Sequence, residues 1–246
     1  MPIIYSSSSG TKDDGIIQID SQSSWANARD ATSGTANDGF TQNHNFTRVS
    51  RSAARTGGVA YGASRSFLVF DTSGITATVA SATLSIYGVG QNDGSIIAVK
   101  STAFGGDGGT SLASGDFNAI SGYSSGSSLA GSATIYGPQI LTTSWSKTGY
   151  NDFTATSDLL TDMKNNNVVI ICFMDYTNDY LNSALTSNAY LNCGGYYAEQ
   201  GGTSKDPKID YTLATGYGNA VNGIAAANIS KVNGIATANI SKVNGI

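Results

Sequence analysis

Two short apolar stretches limit the folds open to this chain. Residues 66–70 read Ser-Phe-Leu-Val-Phe and residues 168–174 read Val-Val-Ile-Ile-Cys-Phe-Met, so apolar side chains occupy both alternating faces. A strand with this pattern is buried on both sides. Residues 82–87 alternate instead, with Leu84 and Ile86 on one face and more polar side chains on the other. We therefore expect residues 66–70 in the middle of a sheet.

The composition narrows the class of protein. The chain has 246 residues, of which 40% are hydrophobic, enough for one large all-β domain and a short appendage. Only 12% of the residues are charged and the net charge is −4, so we expect no binding to nucleic acid or to a membrane surface. No apolar run approaches the roughly 18 residues that cross a bilayer. Abundant turn residues with few charges are typical of extracellular or virion-surface β proteins.

Turn residues and helix signals divide the chain into elements. Two long connections rich in Gly, Ser and Asn separate groups of predicted strands: residues 21–58, which are predicted to contain one or two short strands, and residues 105–131, which are predicted to be a surface connection. Asp93-Gly94 predicts a hairpin turn, and Ser157 is placed to cap one short helix. Further strands are predicted at residues 16–19, 96–100, 189–197 and 208–213.

These elements predict an all-β fold, a jelly-roll-like β-sandwich of about nine strands with one short helix. The predicted organisation has three parts: an N-terminal arm (1–14), a β-sandwich domain (15–215) and a C-terminal repeat tail (216–246).

Residues 67–88 resemble a motif of a known family. They read F-L-V-F-D-T-S-G-I followed, after one residue, by A-T-V-A-S-A-T-L-S-I-Y-G, which resembles the core motif of the disaggregatase-related (DNRLRE) β-sandwich modules. The resemblance continues at residues 96–104, 150–153, 168–175 and 206–211. It implies a jelly-roll-like sandwich across residues 15–215, similar to carbohydrate-binding modules, and a binding role.

The C-terminal tail contains an internal repeat. From Val221 the chain reads VNGIAAANISK, VNGIATANISK and VNGI, an eleven-residue unit in which Thr237 replaces Ala226. Each Asn-Gly pair can turn a hairpin or a coil of a small β-helix, whereas eleven residues also make about three helical turns. The repeat resembles tandem repeats of bacteriophage tail-fibre and head-appendage proteins.

The apolar stripe of this repeat predicts assembly. So short a segment cannot bury its Val and Ile side chains by itself, so we expect it to pack against other copies or against other virion proteins. By analogy with fibres, the expected homo-oligomer is a trimer. The residues expected to form this contact are Val221, Ile224, Ile229, Val232, Ile235, Ile240, Val243 and Ile246.

Few residues offer acid–base or nucleophilic chemistry. The single histidine, His44, lies between two asparagines, and no nucleophile elbow accompanies it, so a Ser-His-Asp triad is not predicted. Glycoside cleavage needs paired carboxylates, which Asp13 with Asp14, or Asp175 with Asp179, would supply. We expect no enzymatic activity, and a glycosidase is the weakest alternative.

The segment after the second apolar stretch contains a candidate ligand site. Asp175, Asn178 and Asp179 supply oxygen atoms of the kind that Ca²⁺ prefers, and Tyr176 and Tyr180 can stack on a sugar ring. A turn after a buried strand also needs Asp and Asn for its own hydrogen bonds. Both interpretations stay open. We expect no cofactor, with Ca²⁺ as the one option, although no complete motif supports it.

The cysteines and a group of tyrosines each allow two interpretations. Cys172 and Cys193 can pair if their strands are neighbours, whereas a free buried thiol is the commoner state for Cys172. Tyr190, Tyr196 and Tyr197 lie close together in sequence, where strand packing is favoured over a ligand platform.

These features predict a non-enzymatic structural or adhesion protein of a bacteriophage virion, such as a head fibre, capsid decoration or tail appendage. Its sandwich is expected to bind surface polysaccharide, and its tail to anchor or oligomerise it. The first ten residues lack the basic and apolar regions of a signal peptide, which favours the virion surface over secretion. The alternatives are a secreted carbohydrate-binding module and a subunit of an extracellular filament built by strand exchange.

Overall fold

Antiparallel strands are the main regular structure of this fold. The computed structural model describes residues 1–55, 57–214, 231–232 and 235–236. Twelve strands of this part of the chain form one sheet. They are β1 (Ile3–Tyr5), β2 (Gly15–Gln22), β3 (Thr35–Asn37), β4 (Gln42–Ala53), β5 (Val59–Asp71), β6 (Val79–Asn92), β7 (Ile96–Lys100), β8 (Ile135–Ile140), β9 (Tyr150–Thr154), β10 (Val168–Asp175), β11 (Ala189–Tyr196) and β12 (Lys208–Leu213).

Helical segments are short and lie in the connections. Among the described residues, the α-helices are α1 (Trp25–Arg29) and α2 (Ser157–Asn165). A π-helical turn (Tyr176–Tyr180) follows β10, and 3₁₀ turns occur at Gly10–Lys12, Phe104–Gly106, Ser114–Asn118 and Thr142–Ser144. None of the described helices is long and apolar enough to cross a membrane.

One long strand, β6, joins two layers of the sheet. Its residues 79–85 pair with β12 on one side and residues 83–87 with β9 on the other, whereas Gly88 and Gln91 pair with β11. β1 extends the first layer beyond β12. The second layer runs from β11 through β4, β5, β10 and β7 to β8, and β2 pairs with the opposite edge of β5. The layers pack face to face, so the fold is the all-β sandwich that the sequence predicts.

The core between the layers is formed by the apolar side chains that alternate along the strands. Leu84 and Ile86 of β6 are fully buried and pack in one cluster with Leu68 and Phe70 of β5. β10 is buried at all eight positions, which confirms its prediction as a strand covered on both sides. Each fully buried Leu, Ile or Phe contributes about 1.5–3 kcal/mol, so this cluster supplies much of the folding free energy.

A second core cluster covers the other face of the second layer. Phe67 and Val69 of β5 belong to it, together with Phe104 and Phe117 from the connection between β7 and β8. All four side chains are fully buried. The connection predicted as a surface loop at residues 105–131 therefore packs over the sheet and covers β5 and β10.

Two local predictions differ from the structure. Asp93-Gly94 does not close a hairpin, because β6 pairs with β9, β11 and β12, whereas β7 pairs with β10 and β8. The segment instead crosses between strands, and a Cβ added to Gly94 would lie 2.8 Å from the backbone of Asn192. Helix α2 is capped by Thr156, whose side chain accepts from the N–H of Leu159, and not by Ser157.

The strand count also exceeds the expected nine. Residues 42–53 form the long strand β4 inside the predicted connection 21–58, and residues 3–5 form β1 inside the predicted arm. The sequence predicts one or two short strands in this connection but does not mark the long β4, because residues 42–53, Gln-Asn-His-Asn-Phe-Thr-Arg-Val-Ser-Arg-Ser-Ala, are mostly polar. Its burial depends on β5 and β11, which pair along its two edges.

Both cysteines are free and fully buried. Cys172 lies on β10 and Cys193 on β11, two strands that are not adjacent in the sheet. Burial raises the pKa of the Cys193 thiol to about 12 and also raises that of Cys172. Both thiols therefore stay protonated at neutral pH and act as small apolar groups.

The described part of the tail is a strand pair. β13 (Lys231–Val232) pairs antiparallel with β14 (Ile235–Ala236), and Val232 lies opposite Ile235. At these positions the repeat is β and not helical. The other residues predicted for assembly lie outside the described residues: Val221, Ile224, Ile229, Ile240, Val243 and Ile246. Assembly through the tail stays a prediction.

Candidate ligand-binding site

The segment predicted as a ligand site forms the turn that ends β10. Asp175 is 2% exposed, and its Oδ1 accepts the N–H of Asn178 at 2.7 Å. Its Oδ2 accepts the N–H of Ser95 at 3.0 Å. Burial raises the pKa of Asp175 to about 6. The Asp175 carboxylate therefore fixes the turn to the start of β7.

The carboxylate of Asp179 binds two buried arginines. Asp179 is fully buried, and both of its oxygens accept bonds of 2.7 Å from the guanidinium of Arg65. The Nε of Arg29 lies 3.5 Å from Oδ1 and donates to the Asp179 carbonyl at 2.7 Å. This ion network connects α1, β5 and the π-helical turn inside the second core cluster.

The two tyrosines of this turn face each other. The rings of Tyr176 and Tyr180 stack with centroids 5.5 Å apart and planes 18° apart, and Tyr180 is 3% exposed. Asn178 is also buried and donates from its amide to the carbonyl of Ser183 at 2.6 Å. A ligand role for this segment stays a prediction, and these contacts give its side chains a structural role.

A more open arrangement lies on the second layer, where β2, β4, β5 and β11 meet. A groove of about 300 Å³ is formed there. Its lining combines two arginines, two tyrosines, an acid and several small side chains: Asp20, Ser21, Arg48, Ser50, Arg51, Ser52, Ala60, Tyr61, Ala189 and Tyr190. We refer to it as the arginine–tyrosine groove.

Arg48 provides the fixed charge of the groove. Its side chain reaches across β5 at Gly62, where an added Cβ would lie 3.0 Å from Nη2. Nη2 donates to the carbonyl of Ile19 at 2.9 Å and to Asp20 at 2.6 Å. Arg48 is 7% exposed, and its buried Nε has no acceptor among the described residues. Nη2 therefore holds the guanidinium in place, and the buried Nε–H is left without an acceptor in the described part of the chain.

Tyr190 provides an exposed aromatic ring beside this charge. It is 43% exposed, and the guanidinium carbon of Arg48 lies 6.0 Å from its ring centroid. Its hydroxyl donates to the side chain of Asn45 at 2.5 Å, which fixes the orientation of the ring. β4 pairs Ser50 directly with Tyr190. An open ring, a guanidinium and a hydroxyl thus lie within one short stretch of the sheet.

Tyr196 and Tyr197, which are close to Tyr190 in the sequence, lie outside the groove. Tyr197 is fully buried, and its hydroxyl lies 2.5 Å from that of Ser66. Tyr196 packs edge-on against Tyr87, with centroids 5.5 Å apart. Arg48 was not predicted, because its partners come from strands far away in sequence and no local pattern marks them.

A larger cleft lies near the end of α2 but lacks an open ring. It encloses about 620 Å³ and is lined by polar groups, including Lys12, Lys100 and Asn166. Its aromatic residue, Tyr136, is 1% exposed and donates its hydroxyl to Asp162 at 2.5 Å. The ring face is therefore unavailable for stacking.

His44, the residue on which a triad would have depended, is exposed on β4. The side chains of the arginine–tyrosine groove offer an aromatic face for stacking, and hydrogen-bonding groups from the guanidinium and the hydroxyls. No family model matches this chain, and no curated protein matches it.

Proposed function

We propose that this protein is a non-enzymatic display module that binds polysaccharide through the arginine–tyrosine groove. The observation that carries the proposal is the exposed Tyr190 ring next to the buried guanidinium of Arg48. A sugar ring presents apolar C–H groups that stack on an aromatic face, and its hydroxyls and carboxylates accept bonds from a guanidinium. Because neither side chain needs to reorganise, binding costs little conformational entropy.

The size of the groove favours a short part of a polymer. A volume of about 300 Å³ is at the lower end for ligand sites and accommodates one or two sugar units. One copy of the protein is expected to bind polysaccharide weakly, so the display of many copies of the protein together would raise the apparent affinity. This fits a module that acts in an assembly.

The test is affinity electrophoresis against acidic and neutral polysaccharides, followed by titration calorimetry on the best ligand. Tyr190→Ala removes the stacking face, so we expect the association constant to fall at least tenfold while the thermal unfolding temperature changes little. Arg48→Met keeps the length of the side chain and removes its hydrogen-bond donors. We expect a similar fall in the association constant.

Tyr176→Ala is the matched control, because it removes the tyrosine of the predicted loop and leaves the groove intact. We expect this variant to bind as the unchanged protein does. If Tyr176→Ala loses binding and Tyr190→Ala keeps it, the site is the turn after β10 and the groove proposal fails. Absence of binding to every polysaccharide would overturn the proposed function itself.

We further propose that the module is a component of a bacteriophage virion surface, held there by its repeat tail. The repeat in residues 221–246 and the low proportion of charged residues support this placement. The alternatives are a secreted carbohydrate-binding module and a subunit of an extracellular filament. The three roles differ in the oligomer that the tail would form.

A further inference from the structure

A group of tyrosine side chains lies on the outer face of the first layer. Leu84 and Ile86 of β6 point into the core, so the alternation along the strand turns Tyr87 outward. β6 pairs Tyr87 with Tyr150 of β9, and their rings meet edge-on with centroids 5.3 Å apart. Tyr196, the last residue of β11, also packs edge-on against Tyr87. All three tyrosines are half-buried, so part of this aromatic group faces solvent.

Hydrogen bonds to the backbone fix two of these rings. The hydroxyl of Tyr87 donates to the carbonyl of Thr148 at 2.5 Å. The hydroxyl of Tyr150 donates to the carbonyls of Ser204 and Asp206, at 3.2 and 3.1 Å. The acceptors lie in the connections that precede β9 and β12. Because the rings are already ordered, a ligand that stacks on them binds at little cost in conformational entropy.

Two lysines lie over these rings. The ammonium of Lys205 is 4.6 Å from the ring centroid of Tyr196 and 5.4 Å from that of Tyr87. It also donates to the hydroxyl of Tyr196 at 3.2 Å. The ammonium of Lys208 is 4.8 Å from the ring centroid of Tyr150. These distances are typical of cation–π interactions. We refer to these three tyrosines and two lysines as the lysine–tyrosine platform.

The two lysines differ in the charges that face them. Lys208 forms an ion pair with Asp210 at 2.8 Å. Of the other acids nearby, Asp206 is 5% exposed, and Asp152 accepts a hydroxyl of β6 at 2.7 Å. Among the described residues, Lys205 forms no ion pair. Its ammonium is therefore the charge of the platform that a ligand can neutralise.

We propose that the lysine–tyrosine platform is a second saccharide site, which binds an acidic sugar unit of a polysaccharide. The inference rests on the proposed function for the class of ligand and adds a site apart from the arginine–tyrosine groove. The C–H groups of a sugar contact the tyrosine rings, and its acidic group forms a charge-assisted bond with Lys205. Tyr190 and Tyr196 lie near opposite ends of β11, so roughly 20 Å of strand separates the two sites.

The charge and composition of the platform favour this ligand over two other classes. A nucleic acid carries a phosphate at each nucleotide and is bound by several cations, whereas the platform has one unpaired ammonium and the chain has a net charge of −4. A protein partner usually contacts an apolar centre, and the exposed Leu141 and Leu213 lie outside the platform. An acidic sugar combines a single charge with a face that stacks on tyrosine.

The test uses the variant Tyr190→Ala, in which the groove has lost its stacking face. We expect affinity electrophoresis to show retention on at least one of polygalacturonate, alginate and hyaluronate, and less retention on neutral dextran. Titration calorimetry then compares oligosaccharides of the best acidic ligand with their methyl esters, whose carboxyl groups are uncharged. At low ionic strength the association constant of the acid should be at least fivefold higher, and salt at about 150 mM should reduce this difference.

Lys205→Met, made in the same variant, keeps the length of the side chain and removes the ammonium. We expect the association constant of the acid to fall to that of its methyl ester. Lys164→Met is the matched control, because it removes the same charge from an exposed position on α2. It should leave binding unchanged, and neither substitution should alter the thermal unfolding temperature.

Equal effects of the two lysine substitutions on binding would overturn the proposal. So would tighter binding of single-stranded oligothymidylate than of every acidic polysaccharide. If the unchanged protein binds polysaccharide and Tyr190→Ala binds none, the groove remains the site and the platform proposal fails. If the unchanged protein binds no polysaccharide, the proposed function fails together with it.

Discussion

Among single residues, Arg65 and Asp179 form an ion pair beside the second core cluster, where the guanidinium carbon lies 4.0 Å from the ring centroid of Phe117. Both side chains are fully buried and joined by two bonds of 2.7 Å. Asp179→Asn leaves the guanidinium of Arg65 buried without a counter-charge. We expect this change to lower the free energy of unfolding by about 3–5 kcal/mol, measured by urea denaturation.

The matched control is Asp20→Asn, which removes the negative charge that pairs with Arg48. The Asp20 side chain is 62% exposed, so water already screens its charge. We therefore expect the free energy of unfolding to fall by less than about 1 kcal/mol. If both variants lose a similar free energy of unfolding, then burial does not determine how much the pair of Arg65 and Asp179 contributes to stability.

The turn after β10 shows which part of the ligand-site prediction the sequence alone could supply. The sequence identified Asp175, Asn178 and Asp179 as polar groups placed after a buried strand, and the structure finds them there. Their partners were not predictable, because Arg65 and Arg29 are 114 and 150 residues away from Asp179. Whether such a carboxylate faces a ligand or an arginine depends on these distant contacts.

At the scale of elements, β1 protects the edge of the first layer. It pairs antiparallel with β12 through Ile3, Ile4 and Tyr5, and the N–H of Tyr211 donates to the carbonyl of Pro2. Deleting residues 2–8 uncovers the edge of β12, and open edges pair with other chains. We expect the shortened chain to unfold at a lower temperature and to self-associate.

Light scattering at several concentrations measures that association. Substituting Lys205 by Ala, which leaves β1 in place, serves as the control and should not change the mass. A shortened chain with unchanged mass and unfolding temperature would mean that β1 contributes nothing to the edge of the sheet.

The sequence predicts those strands whose own residues show a clear pattern of apolar side chains. β10 and the second half of β5 are continuous apolar runs, and β12 was predicted with its observed bounds. β4 has no such pattern, since Thr47 and Arg48 are buried by contacts with distant strands. The groove could not be predicted for the same reason, because four separate strands supply its lining.

At the scale of the whole molecule, the repeat tail is predicted to control assembly. We expect the full chain to form a defined oligomer in light scattering and a chain ending at Gly218 to be monomeric. The physical reason is the Val and Ile stripe, which a short repeat cannot bury alone. The shortened chain keeps β12, so its thermal unfolding should match that of the full chain.

The same measurement separates the proposed roles. A fixed oligomer of the full chain supports the virion proposal, and a mass that grows with concentration supports a filament subunit. Monomers of both chains would contradict the assembly role of the tail and favour the secreted carbohydrate-binding module.

The position of β12 has a mechanical consequence. This strand ends at Leu213, next to the tail, and it is paired along both edges, with β1 and with β6. A force applied at its end acts along the strand, so it loads the hydrogen bonds of both ladders in shear. Bonds loaded in shear must break together, whereas bonds at a peeled edge break one at a time. A domain pulled by its tail would therefore transmit tension to its surroundings before its strands separate.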